Sequence, residues 1–123
     1  MIRILFLLLL FSSCYSVDRD CNSYKTGEFE FTYELNDTII KSTFIRTLDY
    51  EIEEYNGVID SSSISWVNDC EFVLTKLNPK TNQEKRPIKI EIIRTYKDSY
   101  DFEYSSINEP IVINRGKVKR INN

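Results

Sequence analysis

The sequence predicts an all-β domain: a small antiparallel meander of about eight strands that curls into an up-and-down barrel or a curled partial barrel. Three observations predict it. β-Branched and aromatic residues dominate the apolar set, with eight Tyr and seven Phe and no alanine, a composition that suits pleated strands better than helices. Apolar and polar residues alternate with period two in several segments. Turn signals separate those segments, and no helical period stands out. A single antiparallel sheet of so many strands tends to close on itself, which removes its edges. A β-sandwich is the alternative architecture.

The first strand is the clearest, with Phe29, Phe31, Tyr33 and Leu35 alternating with Glu28, Glu30, Thr32 and Glu34. One face is apolar and the other mostly charged, as in a half-buried strand. Asn36-Asp37 signals a turn. A second strand runs from Thr38 to Thr47, with Ile40 and Phe44 on one side. Leu48, Tyr50 and Ile52 then alternate with Asp49, Glu51 and Glu53, so the three apolar residues are expected inside and the three acids outside. Asn56-Gly57 is a strong hairpin signal, because both residues tolerate positive φ. Val58-Ile59 is read as a short return strand broken by Ser61-Ser62-Ser63. Two strands follow, Ile64–Asn68 and Cys70–Leu77, then a polar loop from Asn78 to Pro87. Ile88, Ile90 and Ile92 alternate with Lys89 and Glu91, and Tyr100, Phe102 and Tyr104 with Asp101, Glu103 and Ser105. The segments Ile111–Asn114 and Lys117–Ile121 close the chain around Gly116.

The N-terminus is organised differently. Met1-Ile2-Arg3 is a short positive start, Ile4 to Phe11 is uncharged and apolar, and Ser12-Ser13 leads into Cys14. That order reads as a secretory signal, and the apolar run is too short for a membrane-spanning helix, which needs about 20 residues. Leu10-Phe11-Ser12-Ser13-Cys14 resembles a bacterial lipobox, with Phe11 where that motif usually has a small aliphatic residue. The resemblance implies that Cys14 is lipidated and becomes the mature N-terminus, whereas a plain signal peptide would leave the cysteine incidental. The expected organisation is therefore a signal peptide over 1–13, a lipidated tether over 14–20 and one β-barrel domain over 21–123. Tyr15 rather than Asp follows the cysteine, which by analogy with other Gram-negative lipoproteins implies delivery to the outer membrane. The expected localisation is the cell envelope, in a leaflet the sequence leaves open, with the membrane as partner through the lipid.

Removing residues 1–13 takes away one charge, Arg3, and leaves 15 basic against 19 acidic residues. A mildly acidic domain is a poor nucleic-acid binder, which usually shows a clustered basic excess. There is no histidine, hence no Ser–His or Cys–His couple, and no Gly-x-Ser-x-Gly elbow. No calcium-loop spacing is present either. The sequence thus points to a non-enzyme with no cofactor and no metal site. Alternating acids such as Glu28, Glu30 and Glu34, or Asp49, Glu51 and Glu53, read as solvated strand faces rather than as a glycosidase pair. With Cys14 lipidated, Cys21 and Cys70 remain, and an even pair in an exported domain reads as a disulfide. Closing a loop of that length is worth roughly 4 kcal/mol in the chain-entropy model. The alternative is two separate buried thiols.

The aromatic set is the strongest lead to function. Phe29, Phe31, Tyr33, Phe44, Tyr50, Trp66, Phe72, Tyr100, Phe102 and Tyr104 are expected mostly on inward positions. An eight-stranded barrel is either filled by such side chains or holds one small ligand. Candidate residues for an apolar ligand or lipid are Phe31, Tyr33, Phe44, Tyr50, Trp66, Phe72, Phe102 and Tyr104, with a filled core as the competing expectation. Asp37-Thr38-Ile39 resembles the O-glycosylation site of exported Bacteroidetes proteins, which implies a glycan on Thr38. Arg115, Lys117, Lys119 and Arg120 form a basic stretch, expected as a solvated chain end or a contact to anionic lipid.

Three segments together carry a wider resemblance: Tyr24-Lys25-Thr26-Gly27-Glu28-Phe29, Trp66-Val67-Asn68-Asp69-Cys70-Glu71-Phe72-Val73-Leu74 and Pro87-Ile88-Lys89-Ile90-Glu91-Ile92-Ile93. They resemble a family of small flavobacterial lipoproteins of unknown function, over most of the chain from Asp20 to about Tyr104. Members are often labelled "DNA topoisomerase IV". A small acidic domain expected at the envelope, without nucleotide-binding motifs, does not support that label. Gly27-Glu28-Phe29 is also similar to the Gly-x-Trp that opens lipocalins, with Phe29 in place of the Trp. That similarity implies a lipocalin-like barrel and binding of a small apolar molecule or lipid, while the alternative is a solid interaction module whose outer face meets protein or glycan.

Overall fold

The structure, a computed structural model, describes residues 19–122. The expected signal peptide, the lipidation site Cys14 and the tether before Arg19 lie outside the described residues, as do the side chains of Tyr33, Glu34, Leu35, Pro110 and Val112. A single 3-10 turn, η1 (Cys21–Tyr24), precedes eight strands: β1 (Gly27–Leu35), β2 (Thr38–Arg46), β3 (Tyr50–Tyr55), β4 (Val58–Asn68), β5 (Glu71–Lys76), β6 (Ile88–Thr95), β7 (Ser99–Ser106) and β8 (Glu109–Asn122). Each strand pairs antiparallel with the next, and β8 pairs with β1, so the sheet is a closed meander barrel. The closing seam pairs Phe29 with Arg120 and Phe31 with Val118.

Turn chemistry sets the hairpins. Asn36 (φ 50°) and Asp37 (φ 62°) join β1 to β2, and Asn56 (φ 49°) with Gly57 joins β3 to β4. These positive φ values suit two-residue turns that match strand twist. These two tips, the equally short β7–β8 turn and the longer β5–β6 connection gather at one end of the barrel, here called the open end. The β2–β3, β4–β5 and β6–β7 turns gather at the other end, which η1 covers. The described chain also begins at this closed end: the Arg19 guanidinium donates to the Ile92 carbonyl at 2.9 Å, and the Asp20 amide to the Thr95 hydroxyl at 2.9 Å. These last two residues of the expected tether are thus already bonded to β6.

The core sits at the closed end. Cys21, Tyr24, Phe29, Phe44, Ile64, Phe72, Ile92, Tyr100, Phe102 and Val118 form one buried cluster, with Trp66 and Cys70 packed against it. Cys21 and Cys70 are disulfide-bonded with their Cα atoms 5.2 Å apart, inside the expected range, and the bridge pins η1 to the β4–β5 turn. Trp66 and Phe72 pack together beneath it with ring centroids 4.7 Å apart.

Glycine matters at two places. A Cβ on Gly116, in the middle of β8, would lie 2.7 Å from the Phe102 ring and 2.9 Å from the Phe31 ring, so the strand approaches that wall only without a side chain. Gly27 opens β1 at φ +139°, a backbone conformation L side chains rarely adopt.

Three sequence expectations need correction. Ser61, Ser62 and Ser63 do not break a strand: β4 is continuous from Val58 to Asn68, which merges two expected strands. Small serines leave room beneath the wall, and the ladder to β3 runs through them, with Tyr50 opposite Ser63 and Ile52 opposite Ser61. The two closing segments at the C-terminus are one strand, β8, which runs on through Gly116; its basic residues are solvated as expected, but Arg115 also pairs with Glu103 at 3.0 Å and Lys117 with Asp101 at 3.7 Å on β7. The third correction, and the largest, is that β3 is turned over.

Candidate ligand cavity

Arg46 explains the inversion of β3. It lies two residues beyond Phe44 and four beyond Ser42, so strand parity sends all three to the interior, and Arg46 is only 2% exposed. A buried guanidinium needs a partner. The β2–β3 register places Glu51 directly opposite, and the pair closes at 3.1 Å. Glu53, opposite Phe44, shares the inner face. Shifting the register by one residue would bring Leu48, Tyr50 and Ile52 inside and strand the arginine without its anion. Leaving three apolar side chains in water costs less than leaving one buried charge unpaired.

The guanidinium sits at the junction of the core and the open half. Its Nη1 donates to the Tyr24 carbonyl at 2.8 Å, and its Nη2 to Glu51 and to the Tyr100 hydroxyl at 2.8 Å. The rings of Phe72, Phe29, Phe44 and Tyr100 lie 4.8, 5.0, 5.2 and 5.7 Å from its central carbon, a cage of cation–π contacts. Burial works to lower its pKa, but Tyr100 and Glu51 overrule it and hold it above the ordinary arginine value. Burial pushes the Tyr100 hydroxyl pKa up, against the pull of Arg46. The Tyr24 hydroxyl lies 2.8 and 3.0 Å from the Tyr96 and Ser99 carbonyl oxygens and shares its one proton between them, which fastens η1 across the closed end.

Above this floor the barrel is hollow. A cavity of about 510 Å³ is lined by residues of seven strands. One arc is apolar and comes from β5 to β8 and β1: Leu74, Ile88, Ile90, Phe102, Tyr104, Val118 and Phe31. The other arc is polar and comes from β2 and β3: Ser42, Arg46, Glu51 and Glu53. A recess of about 310 Å³ continues from it beneath the β5–β6 loop and adds Asp60, Ser62, Lys76, Gln83, Glu84 and Arg86. Lys76 reaches Asp60 at 2.8 Å and Glu84 of that loop at 3.2 Å, tying the loop over the mouth. Partial burial of the carboxyl in this wall, and next the charge of Glu51, push the Glu53 pKa up, although the residue as a whole is exposed in the mouth. Among the described residues no group of three or more His, Cys, Asp or Glu is placed to hold a metal ion.

The expected ligand residues divide accordingly. Phe31, Phe44, Phe102 and Tyr104 line the cavity. Phe72 and Trp66 belong to the closed-end core, where the Trp66 indole nitrogen donates to the Leu48 carbonyl at 3.1 Å. Tyr50 is corrected: it points outward and is 49% exposed, for the reason given above. The Tyr33 side chain lies outside the described residues. Thr38 is exposed at the start of β2, beside the first hairpin tip.

The sequence reading missed Arg46, Glu51 and Glu53 as interior residues. A signal was present: Ile40, Ser42, Phe44 and Arg46 fall on one strand face, and an acid five residues after a buried arginine can lie across a tight hairpin. It missed Tyr24 because a four-residue 3-10 turn leaves no periodic trace.

Compared with protein-family models, curated proteins and solved structures, the chain matches none.

Proposed function

We propose that this chain is a non-catalytic lipoprotein of the cell envelope, anchored by lipid on Cys14 at the outer membrane, that binds a small apolar molecule or lipid inside its barrel. The observation that carries the reading is the cavity of about 510 Å³ with one apolar arc, which falls in the size range of small-molecule sites, about 300–1,000 Å³. The chain enters the barrel at the closed end, so an anchor upstream of Arg19 leaves the mouth unobstructed. The decisive experiment is mass spectrometry of small molecules that copurify with the protein from its native membrane. A lipid or apolar metabolite lost on Tyr104→Trp and Leu74→Trp, which fill the cavity, supports the reading; an empty barrel from native membrane overturns it. Cys14→Ala is expected to release a folded domain from membranes, and a variant that stays membrane-bound after a salt wash would place the anchor elsewhere.

A second reading is an interaction module that meets protein or glycan with its outer face. The inversion of β3 favours it, because Ile45 and Ile52 pair directly across β2 and β3 on the outside, next to exposed Leu48 and Tyr50.

A further inference from the structure

The charges around the cavity do not all pair with one another. Arg46 is matched by Glu51 and Lys76 by both Asp60 and Glu84, while at the rim Arg86 takes Glu109 and Arg115 takes Glu103. Glu53 stands in none of the ion pairs among the described residues, and it lines the cavity together with Ser42. The cavity and the recess are thus lined by four cations, Arg46, Lys76, Arg86 and Arg115, and four carboxylates, Glu51, Glu53, Asp60 and Glu84, but Arg86 and Arg115 are drawn to Glu109 and Glu103, which belong to neither lining. Glu53 lines both the main cavity and the recess, so it stands where the two meet.

Glu53 is exposed in the mouth, so a ligand entering the cavity meets its carboxylate, and the form of that ligand is constrained. A bare metal ion finds no group of three such ligands among the described residues. An anionic ligand would lie against Glu51 and Glu53 as well as the guanidinium, whose two terminal nitrogens are already bonded to Tyr24, Glu51 and Tyr100 and which offers only its buried Nε. An organic cation meets an unpaired carboxylate on one side and an apolar wall with two aromatic rings, Phe102 and Tyr104, on the other.

We propose that the cavity selects a small amphiphile bearing a protonated amine, whose ammonium pairs with Glu53 beside Ser42 while its hydrocarbon part lies against Leu74, Ile88, Ile90 and Phe102. The proposal rests on the ligand-binding reading above and adds the class of head group. A charge-assisted hydrogen bond in such a wall gives a preference of about tenfold over an uncharged head group.

The test is calorimetric titration of the full chain with octylamine, octanol and octanoate, which share one hydrocarbon chain and differ in head-group charge. Octylamine is expected to bind about tenfold more tightly than octanol, and octanoate most weakly. Glu53→Gln is expected to bring octylamine down to the level of octanol, whereas Glu54→Gln, on the exposed outer face of the same strand, keeps the difference. Near-UV circular dichroism of each variant reports that the barrel is intact. Octanol or octanoate binding as tightly as octylamine, or a preference that survives Glu53→Gln, overturns the amine proposal and leaves the cavity reading standing. Failure of all three to bind overturns both.

Discussion

The same eight strands build both ends of the barrel, and the ends differ in what the strands point inward. At the closed end the inward positions carry Phe29, Phe44, Ile64, Phe72, Ile92 and Tyr100, and the space between them is filled. At the open end one arc carries Ser42, Glu53, Asp60, Ser62 and Lys76 instead, and the space is left hollow. Close packing and a covalent bridge at one end hold the sheet in a cylinder, so the other end can keep charged groups that contribute nothing to a core. Arg46 marks the boundary: its aromatic cage belongs to the filled half, and its partner Glu51 lines the hollow one.

If that division is right, substitutions at the two ends differ in cost. Arg46→Met should be the most damaging, because it leaves Glu51 buried without its cation; the expected loss is roughly 3–5 kcal/mol, read as a drop in the urea midpoint. Adding Glu51→Leu should recover most of that loss, since an apolar pair of similar volume needs no charge partner. A double variant no better than Arg46→Met would mean that the guanidinium holds the core together by its cage rather than by its pair. Cys21→Ser with Cys70→Ser frees a loop of 49 residues and should cost about 4 kcal/mol, measurable against the oxidised protein in the same denaturant series. Tyr104→Ala, half-buried in the mouth, should cost about 1 kcal/mol. A loss at Tyr104 matching that at Arg46 would erase the contrast between the ends.

The smallest effect has the opposite sign. The Glu53 carboxyl pKa is raised in the folded barrel, first by burial. The folded state therefore holds a proton more tightly than the unfolded chain, and the ionised group costs stability at neutral pH. That cost is recovered as pH falls through the raised value toward the ordinary carboxylate value of about 4.3. Glu53→Gln should accordingly raise the melting temperature at pH 7, and the gain should fade as the pH is lowered through that window. A variant less stable than the parent at neutral pH would place the Glu53 carboxylate in a pair that supports the fold.

Much of the closed end was legible in the sequence. Alternation in Glu28–Phe31, in Ile88–Ile92 and in Tyr100–Tyr104 assigned the correct inner faces, because within each of these segments the aromatic or branched residues fall on one side. Asn56-Gly57 placed a hairpin, and two cysteines in an expected export context placed the bridge. The open end was read poorly because its rule is different. In β3 the apolar residues Tyr50 and Ile52 lie outside and the acids Glu51 and Glu53 inside, so periodicity gave the right strand with the wrong face. Parity on a strand is decided by its neighbours, and the neighbour here is a buried cation. Ser61–Ser63 misled for a related reason: small polar residues usually mark turns, yet over a hollow interior they serve as wall. A cavity has no sequence signature of its own, since it consists of the side chains that are not there.

The bond between Cys21 and Cys70 also decides how the barrel bears a pull. Tension on the chain upstream of Arg19 first meets the hydrogen bonds from Arg19 and Asp20 to β6, and then the bridge. Beyond that point the load passes through sulfur into the β4–β5 turn, half-way round the wall from the closing seam. Without the bridge, strand β1 would take the load first and peel away from β2 and β8. With the bridge closed, the force is carried by the sheet as a whole, and the seam where the cylinder was zipped shut is the part that feels it last.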